Sequence, residues 1–379
     1  MNKNEALTRR GLAFLRSKEA LVQNAKKTMA QAHAKRLIAV IKANAYGHGD
    51  VWAAKTLYEQ LAVHDFAVAT VKEALRVRAA FLKEDVQVLL LGVQPAEQAA
   101  LMAENKIATV AGSFDWLRRA KESLKAEKRQ QRLVVHLAVD TGMGRVGAKT
   151  EEELASMVDF VRQDESFELG GVMTHFATAD DHNQAYYDQQ LADFIHLVTD
   201  LDIPEKYWHL ANSGSALFHA DQVPTQTIRV GAALYGFNPA DGEYALPIDL
   251  EPVGRLVGRI WAVHRLLKGE SLSYGATYTA KKDEWVATVP IGYADGWTRR
   301  LSGMSVLVNG QREKVLGRVT MDQIVISLPE ALPVNTEVTF IGQEGSESIS
   351  IEDVARYAGT IPHEILTGIS DRVPRVDVD

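Results

Sequence analysis

The chain has no cysteine among its 379 residues. That excludes disulfides, thiolate nucleophiles and cysteine-ligated zinc, and it is compatible with a reducing compartment. Long hydrophobic runs are missing too. The longest apolar stretches, such as VQVLLLGV at 86–93, fall well short of the ~20 residues that span a bilayer. The start, MNKNEALTRRGLAFLRSKEA, lacks the apolar core and small-residue cleavage site of a secretory signal, so a cytoplasmic location is expected. Positive charge is not in excess: 42 Lys and Arg against 49 Asp and Glu leave a formal net charge of -7, which gives no electrostatic case for nucleic acid or an anionic membrane. No H-E-x-x-H or comparable ligand set appears, so no metal centre is expected. What is left is small-molecule chemistry in a chain that is 46% hydrophobic and 24% charged, long enough for a large core and a second domain.

Up to about residue 240, short β-rich apolar runs alternate with longer segments of helical period, the pattern of a parallel sheet built from βα units. Eight such runs are present: RLIAVIKA (36–43), HDFAVAT (64–70), VQVLLLG (86–92), IATVAG (107–112), RLVVHLAVD (132–140), LGGVMTHFA (169–177), YWHLANS (207–213) and TIRVGAALYGF (227–237). Between them, VKEALRVRAAFL, SFDWLRRAKESLKAEKR, TEEELASMVDFVRQ and NQAYYDQQLADFIHLVTDL predict helices. The fold class is therefore α/β, with a (β/α)8 TIM-type barrel over 1–240. From 241 to 379 the texture changes to alternating strands broken by Gly, Asn-Gly and Pro turns, which predicts a separate, mainly β domain with one helix near SIEDVARYAG.

In such a barrel, side chains at the C-terminal ends of the strands converge on one face, where barrel enzymes carry out their chemistry. Read this way, the first run ends on Lys42, Arg145 follows the fifth, His175 lies in the sixth, Ser213 follows the seventh, and Arg229 and Gly231 lie in the eighth. Burial and like-charged neighbours would lower the lysine pKa and free its amine to attack a carbonyl. Ser213, Gly214 and Gly231 offer small, donor-rich backbone where barrels often hold a phosphate. An imine-forming lysine, a phosphate cradle and an arginine for a ring nitrogen are what pyridoxal phosphate requires of a protein.

Several of these residues also have plainer readings. A lysine at a strand end commonly reaches for water. Ser213 in ANSGSAL, taken alone, reads more readily as a helix N-cap. GMGRVG at 142–147 satisfies the dinucleotide fingerprint but follows the fifth run and has an arginine in its fourth position, so a tight glycine turn is the better reading. Tyr274 in SYG and Tyr293 in GYADGW could be cross-strand packing residues, and ADDHNQ at 179–184 reads as a helix cap.

Taken together, the motifs AVIKANAYGHG, DTGMGRVG, MTHFA, HLANSGS, IRVGAALYG, SYGATY, PIGYADGW, GRVTMDQ and SDRVPR, in order from residue 39 to 375, resemble those of the alanine racemase family. These are fold-type III pyridoxal phosphate enzymes that interconvert L- and D-alanine. The resemblance implies pyridoxal 5'-phosphate as cofactor, a homodimer and supply of D-alanine for peptidoglycan. It implies that Lys42 is the Schiff-base lysine and the acid or base on one face of the substrate α-carbon. Tyr274, supplied by the other subunit, would be its counterpart on the opposite face. Arg229 would face the pyridine nitrogen, with His209 behind it and His175 beside the ring. Tyr46, Ser213, Gly231 and Ala232 would surround the phosphate. Arg145 and Met321 would meet the substrate carboxylate, and Tyr293 and Asp322 would line the approach.

The chain departs from the family pattern at several positions. Ala138 stands where many members have a lysine, often carbamylated, and Asp371 where several place a phosphate-contacting tyrosine. Thr320 and His363 replace the commoner Cys and Tyr, and the usual opening strand motif is missing. Two other functions are considered: a racemase of a larger amino acid, with pocket width set partly by Tyr293 and Met321, and a non-catalytic pyridoxal phosphate carrier, against which the intact second domain argues.

Overall fold

The computed structural model describes residues 2–126, 131–240 and 244–379. The first strand, β1 (Leu12–Arg16), is one that the hydrophobic pattern did not single out. The eight expected runs follow as β2 (Arg36–Val40), β3 (Asp65–Val68), β4 (Gln87–Leu90), β5 (Ile107–Ala111), β6 (Leu133–Ala138), β7 (Phe167–Met173), β8 (Trp208–His209) and β9 (Thr227–Val230). They form one parallel sheet in the order β8-β7-β6-β5-β4-β3-β2-β9. A backbone hydrogen bond of 2.8 Å from the Arg229 amide to the Ala211 carbonyl joins the two ends of that order, so the barrel is nearly closed. The strands read as continuous apolar runs because they are covered on both faces; β5 is buried at all five positions.

The crossover helices start where the sequence supplies caps. Thr70 and Glu73 form a capping box on Val71–Ala80, and the Thr150 side chain accepts from the third amide of Glu151–Gln163. Helix Phe114–Ala126 matches its expected segment; the expected continuation to Arg129, like the start of the second domain at 241–243, lies outside the described residues.

The second domain is built on an antiparallel-rich sheet. β10 (Gly254–Arg259) pairs antiparallel with β1, which in turn pairs in parallel with Arg375–Asp377. β1 therefore precedes the barrel in sequence yet belongs to this sheet, its Leu12 and Phe14 side chains buried in the main core. Two short helices, Ile351–Ala358 and Pro362–Gly368, stand where one was expected. The second opens on Pro362, a first-turn position where the missing amide hydrogen is not needed.

These late segments hold the chain beyond β2. Lys42 stands two residues past that strand, and the next four residues, Ala43, Asn44, Ala45 and Tyr46, all have φ between 51° and 55°. Left-handed backbone costs an L-residue roughly 1–2 kcal/mol, so such a run persists only where its surroundings impose it. Glu73 Oε1 accepts from the Ala43 amide at 2.8 Å, and Asn44 Oδ1 accepts from the Asp50 amide at 3.1 Å. Arg375 Nε donates to the Gly47 carbonyl at 3.0 Å, while its other nitrogens donate to the carbonyls of Ile369 and Ser370 at 2.6 and 2.5 Å. A Cβ at Gly47, whose φ is 84°, would overlap the Leu366 carbonyl. Arg375→Ala leaves the Gly47 and Ile369 carbonyls without a donor among the described residues, Ser370 keeping the Val373 amide, and is expected to lower stability by about 2–4 kcal/mol. Urea denaturation checks this, and an unchanged midpoint would sink it.

Candidate active site

A cavity of about 610 Å³ opens at the C-terminal end of the barrel strands. It is lined by Lys42, Arg145, His175, Ser213, Gly214, Arg229 and Gly231, expected there from the strand ends, and by Tyr46 and Ala232, expected from the resemblance. Each arrives by its strand: Lys42 just past β2, Arg145 in the loop after β6, His175 past β7, Ser213 past β8, and Arg229 in β9 with Gly231 and Ala232 just beyond it.

Lys42 makes no hydrogen bond or salt bridge among the described residues. Burial pulls its amine pKa below the ordinary lysine value and nearby Arg145 pulls it further, while Glu73 opposes this. Arg229 is buried and anchored. Its terminal nitrogens donate to the carbonyls of Thr174 at 2.6 Å and Leu210 at 3.1 Å and to that of His209. Burial, and then Arg145, bring its pKa down to about 9, so it stays charged at neutral pH. His175 is held neutral, its pKa lowered to about 3 mainly by burial and then by Arg229, Arg145 and Lys42. The site thus concentrates Lys42, Arg145 and Arg229 around one cavity, an arrangement suited to an anionic ligand. The Tyr46 hydroxyl and Arg229 Nε make no hydrogen bond among the described residues. Both residues line the cavity.

Other expectations are resolved around this site. Ser213 is the first residue of helix Ser213–Phe218, and the cap is Asn212, whose side chain accepts from the Ser215 amide; Ser213 Oγ instead accepts from the Gly231 amide at 3.1 Å. GMGRVG is a tight turn: Gly142, Gly144 and Gly147 all have positive φ, and Asp140 Oδ1 accepts from the Gly142 and Gly144 amides at 3.2 and 2.9 Å. Helix Ala185–Thr199 receives no side-chain cap from Gln184, although Asn183 Oδ1 accepts from its first amide. Asp371 lies in a separate groove with Arg16 and Arg76 and does not line the cavity, whereas His363 does. Ala138 is buried, and no hydrogen bond orients Arg145 among the described residues.

Tyr274, Tyr293, Met321 and Asp322 do not line this cavity. They lie on the surface of the second domain; Tyr274 is 73% exposed, Met321 52% and Tyr293 43%. Neither tyrosine is a cross-strand packing residue. Tyr274 occupies the tip between Ser271–Leu272 and Tyr278–Thr279, flanked by Ser273 and Gly275 at positive φ, and Tyr293 starts a 3-10 turn. Asp322 accepts from Arg372 at 2.7 Å. Glu73, which holds the Ala43 amide, escaped the sequence reading, because nothing local to the helix it caps links it to residues 30 positions earlier.

Two family models cover the chain: the alanine racemase N-terminal domain over residues 17–239 and the C-terminal domain over 253–377. The chain belongs to the alanine racemase family. The alanine racemase of Lactiplantibacillus plantarum is 45% identical over 363 residues, 95% of this chain and 96% of that one. Among solved structures, the alanine racemase from E. faecalis superposes with a TM-score of 0.92 at 37% identity, covering 97% and 98% of the two chains. The histidine racemase from Leuconostoc mesenteroides gives 0.91 at 32% identity, covering 98% of each. The alanine racemase from Bartonella henselae, solved with covalently bound pyridoxal phosphate, gives 0.85 at 27% identity, covering 97% and 99%. As in these family members, a barrel and a β domain make up a single enzyme.

Proposed function

We propose that this enzyme racemises alanine with pyridoxal phosphate, and that a second copy of the chain completes each site. The carrying observation is the split between the cavity, where Lys42 stands unpaired beside two arginines, and Tyr274, exposed at a hairpin tip that the cavity of its own chain does not use.

The residues present fit the cofactor. Two donors at the cavity, the Tyr46 hydroxyl and Arg229 Nε, have no partner among the described residues. The first amides of the turns at Ser213 and Ala232 have none within their own helices, and these residues line the same cavity. When bound, pyridoxal phosphate supplies an electrophilic carbonyl and an electron sink for charge on the α-carbon. Tyr46, Ser213 and Ala232 would hold its phosphate and Arg229 its ring nitrogen. Because a guanidinium keeps its proton, Arg229 would leave that nitrogen unprotonated and so moderate the sink. Arg145 supplies a positive charge for the substrate carboxylate. The Lys42 amine, its pKa lowered by burial, takes or gives the α-proton on one face, and Tyr274 of the partner subunit does so on the other. Removal from one face and return to the opposite face inverts the centre. Tyr293, Met321 and Asp322, on the same surface as Tyr274, would line the approach. The product, D-alanine, is the amino acid that peptidoglycan synthesis consumes.

The test is the purified protein with pyridoxal phosphate and L-alanine, followed by chiral chromatography; no D-alanine would sink the reading. The histidine racemase among the structural neighbours favours one alternative, a larger substrate. Comparing kcat/KM over a panel of L-amino acids separates the two: a preference for histidine or serine over alanine would replace the proposed substrate while keeping the mechanism.

The phosphate assignment has its own test. A Cβ at Gly231 would overlap the Tyr46 hydroxyl, so Gly231→Ala is expected to weaken pyridoxal phosphate binding at least about tenfold, the ~1.4 kcal/mol of one displaced hydrogen bond. Fluorescence titration of cofactor-free protein measures this, and unchanged affinity would move the phosphate elsewhere.

A further inference from the structure

Behind Arg229, on the side away from the cavity, two buried histidines fix each other's protons. His209 of β8 and His136 of β6 lie with Nε2 of the first 2.7 Å from Nδ1 of the second. A guanidinium has no lone pair to offer, so Arg229 donates to His209 Nδ1 at 3.0 Å. Burial keeps both rings neutral, with Arg229 and Arg36 opposing protonation of each; Arg36 itself is paired with Asp65 at 2.6 Å. A neutral ring that accepts at Nδ1 carries its proton on Nε2, so His209 donates to His136 Nδ1 and the proton of His136 sits on its own Nε2. That Nε2 has no partner among the described residues, and a buried donor left unpaired is destabilising because it loses its water without gaining an acceptor.

The neighbouring strand makes room for the pair. A Cβ at Gly171 would come within 2.5 Å of His136 Nδ1 and 2.8 Å of His209 Nε2, and one at Gly170 within 2.7 Å of His136 Nε2. Two adjacent glycines and an orphaned donor are costs that an apolar residue at 136 would not impose, so the histidine calls for a role beyond packing.

We propose that His136 is a positioning residue for Arg229. By accepting the His209 proton it holds His209 in the tautomer whose Nδ1 lone pair faces the guanidinium. In the other tautomer an N–H would oppose the arginine N–H at 3.0 Å, and the guanidinium would have to turn, taking Nε away from the cavity. This inference rests on the reading above, in which Arg229 Nε meets the ring nitrogen of the cofactor.

Two variants test it. His136→Asn keeps an acceptor near the place of Nδ1, and His136→Leu offers none at similar volume. Nitrogen-15 NMR of the imidazoles, recorded before cofactor is added and assigned with His209→Asn, should show His209 protonated at Nε2 alone in the wild type and in His136→Asn. In His136→Leu that single tautomer should be lost, and after loading kcat should fall about tenfold, the lower end of what loss of an orienting partner causes, with KM little changed. His136→Leu with the wild-type tautomer and kcat would overturn the proposal, as would a His136→Asn that loses as much kcat as His136→Leu. The tautomer measurement is independent of the cofactor, whereas failure of the functional reading would appear as wild-type protein making no D-alanine.

Discussion

Lys42→Met is expected to lower the rate of alanine interconversion by about 10²–10⁴-fold, the range for loss of a positioned acid-base group. Borohydride, which should fix pyridoxal phosphate to the wild type, should leave the variant unlabelled; a variant that keeps both activity and label would overturn the role of Lys42. The same change should raise the thermal midpoint of the cofactor-free protein, because a buried amine whose charge is disfavoured beside Arg145 gives way to a neutral side chain of similar length. The sign follows from linkage. The folded-state pKa lies below the unfolded one, so the unfolded chain binds more protons between the two values, and the wild type loses stability as pH falls through that window. The advantage of the variant should therefore be near zero above pH ~10.4, the ordinary lysine value, and grow as pH is lowered. A gap of constant size would assign the stabilisation to packing.

Tyr274→Phe should lower racemisation by about 10²–10⁴-fold while leaving pyridoxal phosphate bound, because Tyr274 lies outside the cavity of its own chain. A carrier protein would not respond to this change. Mixing the Tyr274→Phe and Lys42→Met proteins tests sharing between subunits. In a dimer with one subunit of each kind, one site has both wild-type groups and the other has neither. Random reassortment makes half of the dimers mixed, so activity should return to about a quarter of wild type. If each site used its own tyrosine, every site would lack one group and mixing would restore nothing.

The eight barrel strands were legible in the sequence because a parallel strand covered on both faces is a plain apolar run, and eight such runs leave little choice of architecture. Lys42, Arg145, His175, Ser213 and Arg229 could be placed at one cavity for the same reason, since strand order fixes which ends meet. What escaped was information that lies between distant segments. β1 looks like part of a helical start until its partners at 254–259 and 375–377 are known. The left-handed turn after Lys42 has no local signature, because Ala43 and Ala45 are ordinary helix formers and only Glu73, Asn44 and Arg375 impose their φ. The cap on the helix after β8 fell to Asn212 rather than Ser213 because Ser213 Oγ is committed to Gly231. His136 sat inside RLVVHLAVD as one polar residue in an apolar run, and its meaning depended on His209, 73 residues away.

The left-handed turn also bears on the order in which a newly made chain becomes able to react. The barrel residues that line the cavity, from Lys42 to Ala232, all precede the second domain in the chain. Arg375, which fastens the Gly47 carbonyl, and Leu366, which packs against Gly47, come well over a hundred residues later in the chain. Until these segments are made, the turn from Ala43 to Tyr46 has the contacts of Glu73 and Asn44 but not those of Arg375 and Leu366. The segment from Leu366 to Arg375 thus works as a late fastener: the turn that presents the Lys42 amine is secured from the second domain only after the barrel that surrounds it has been made.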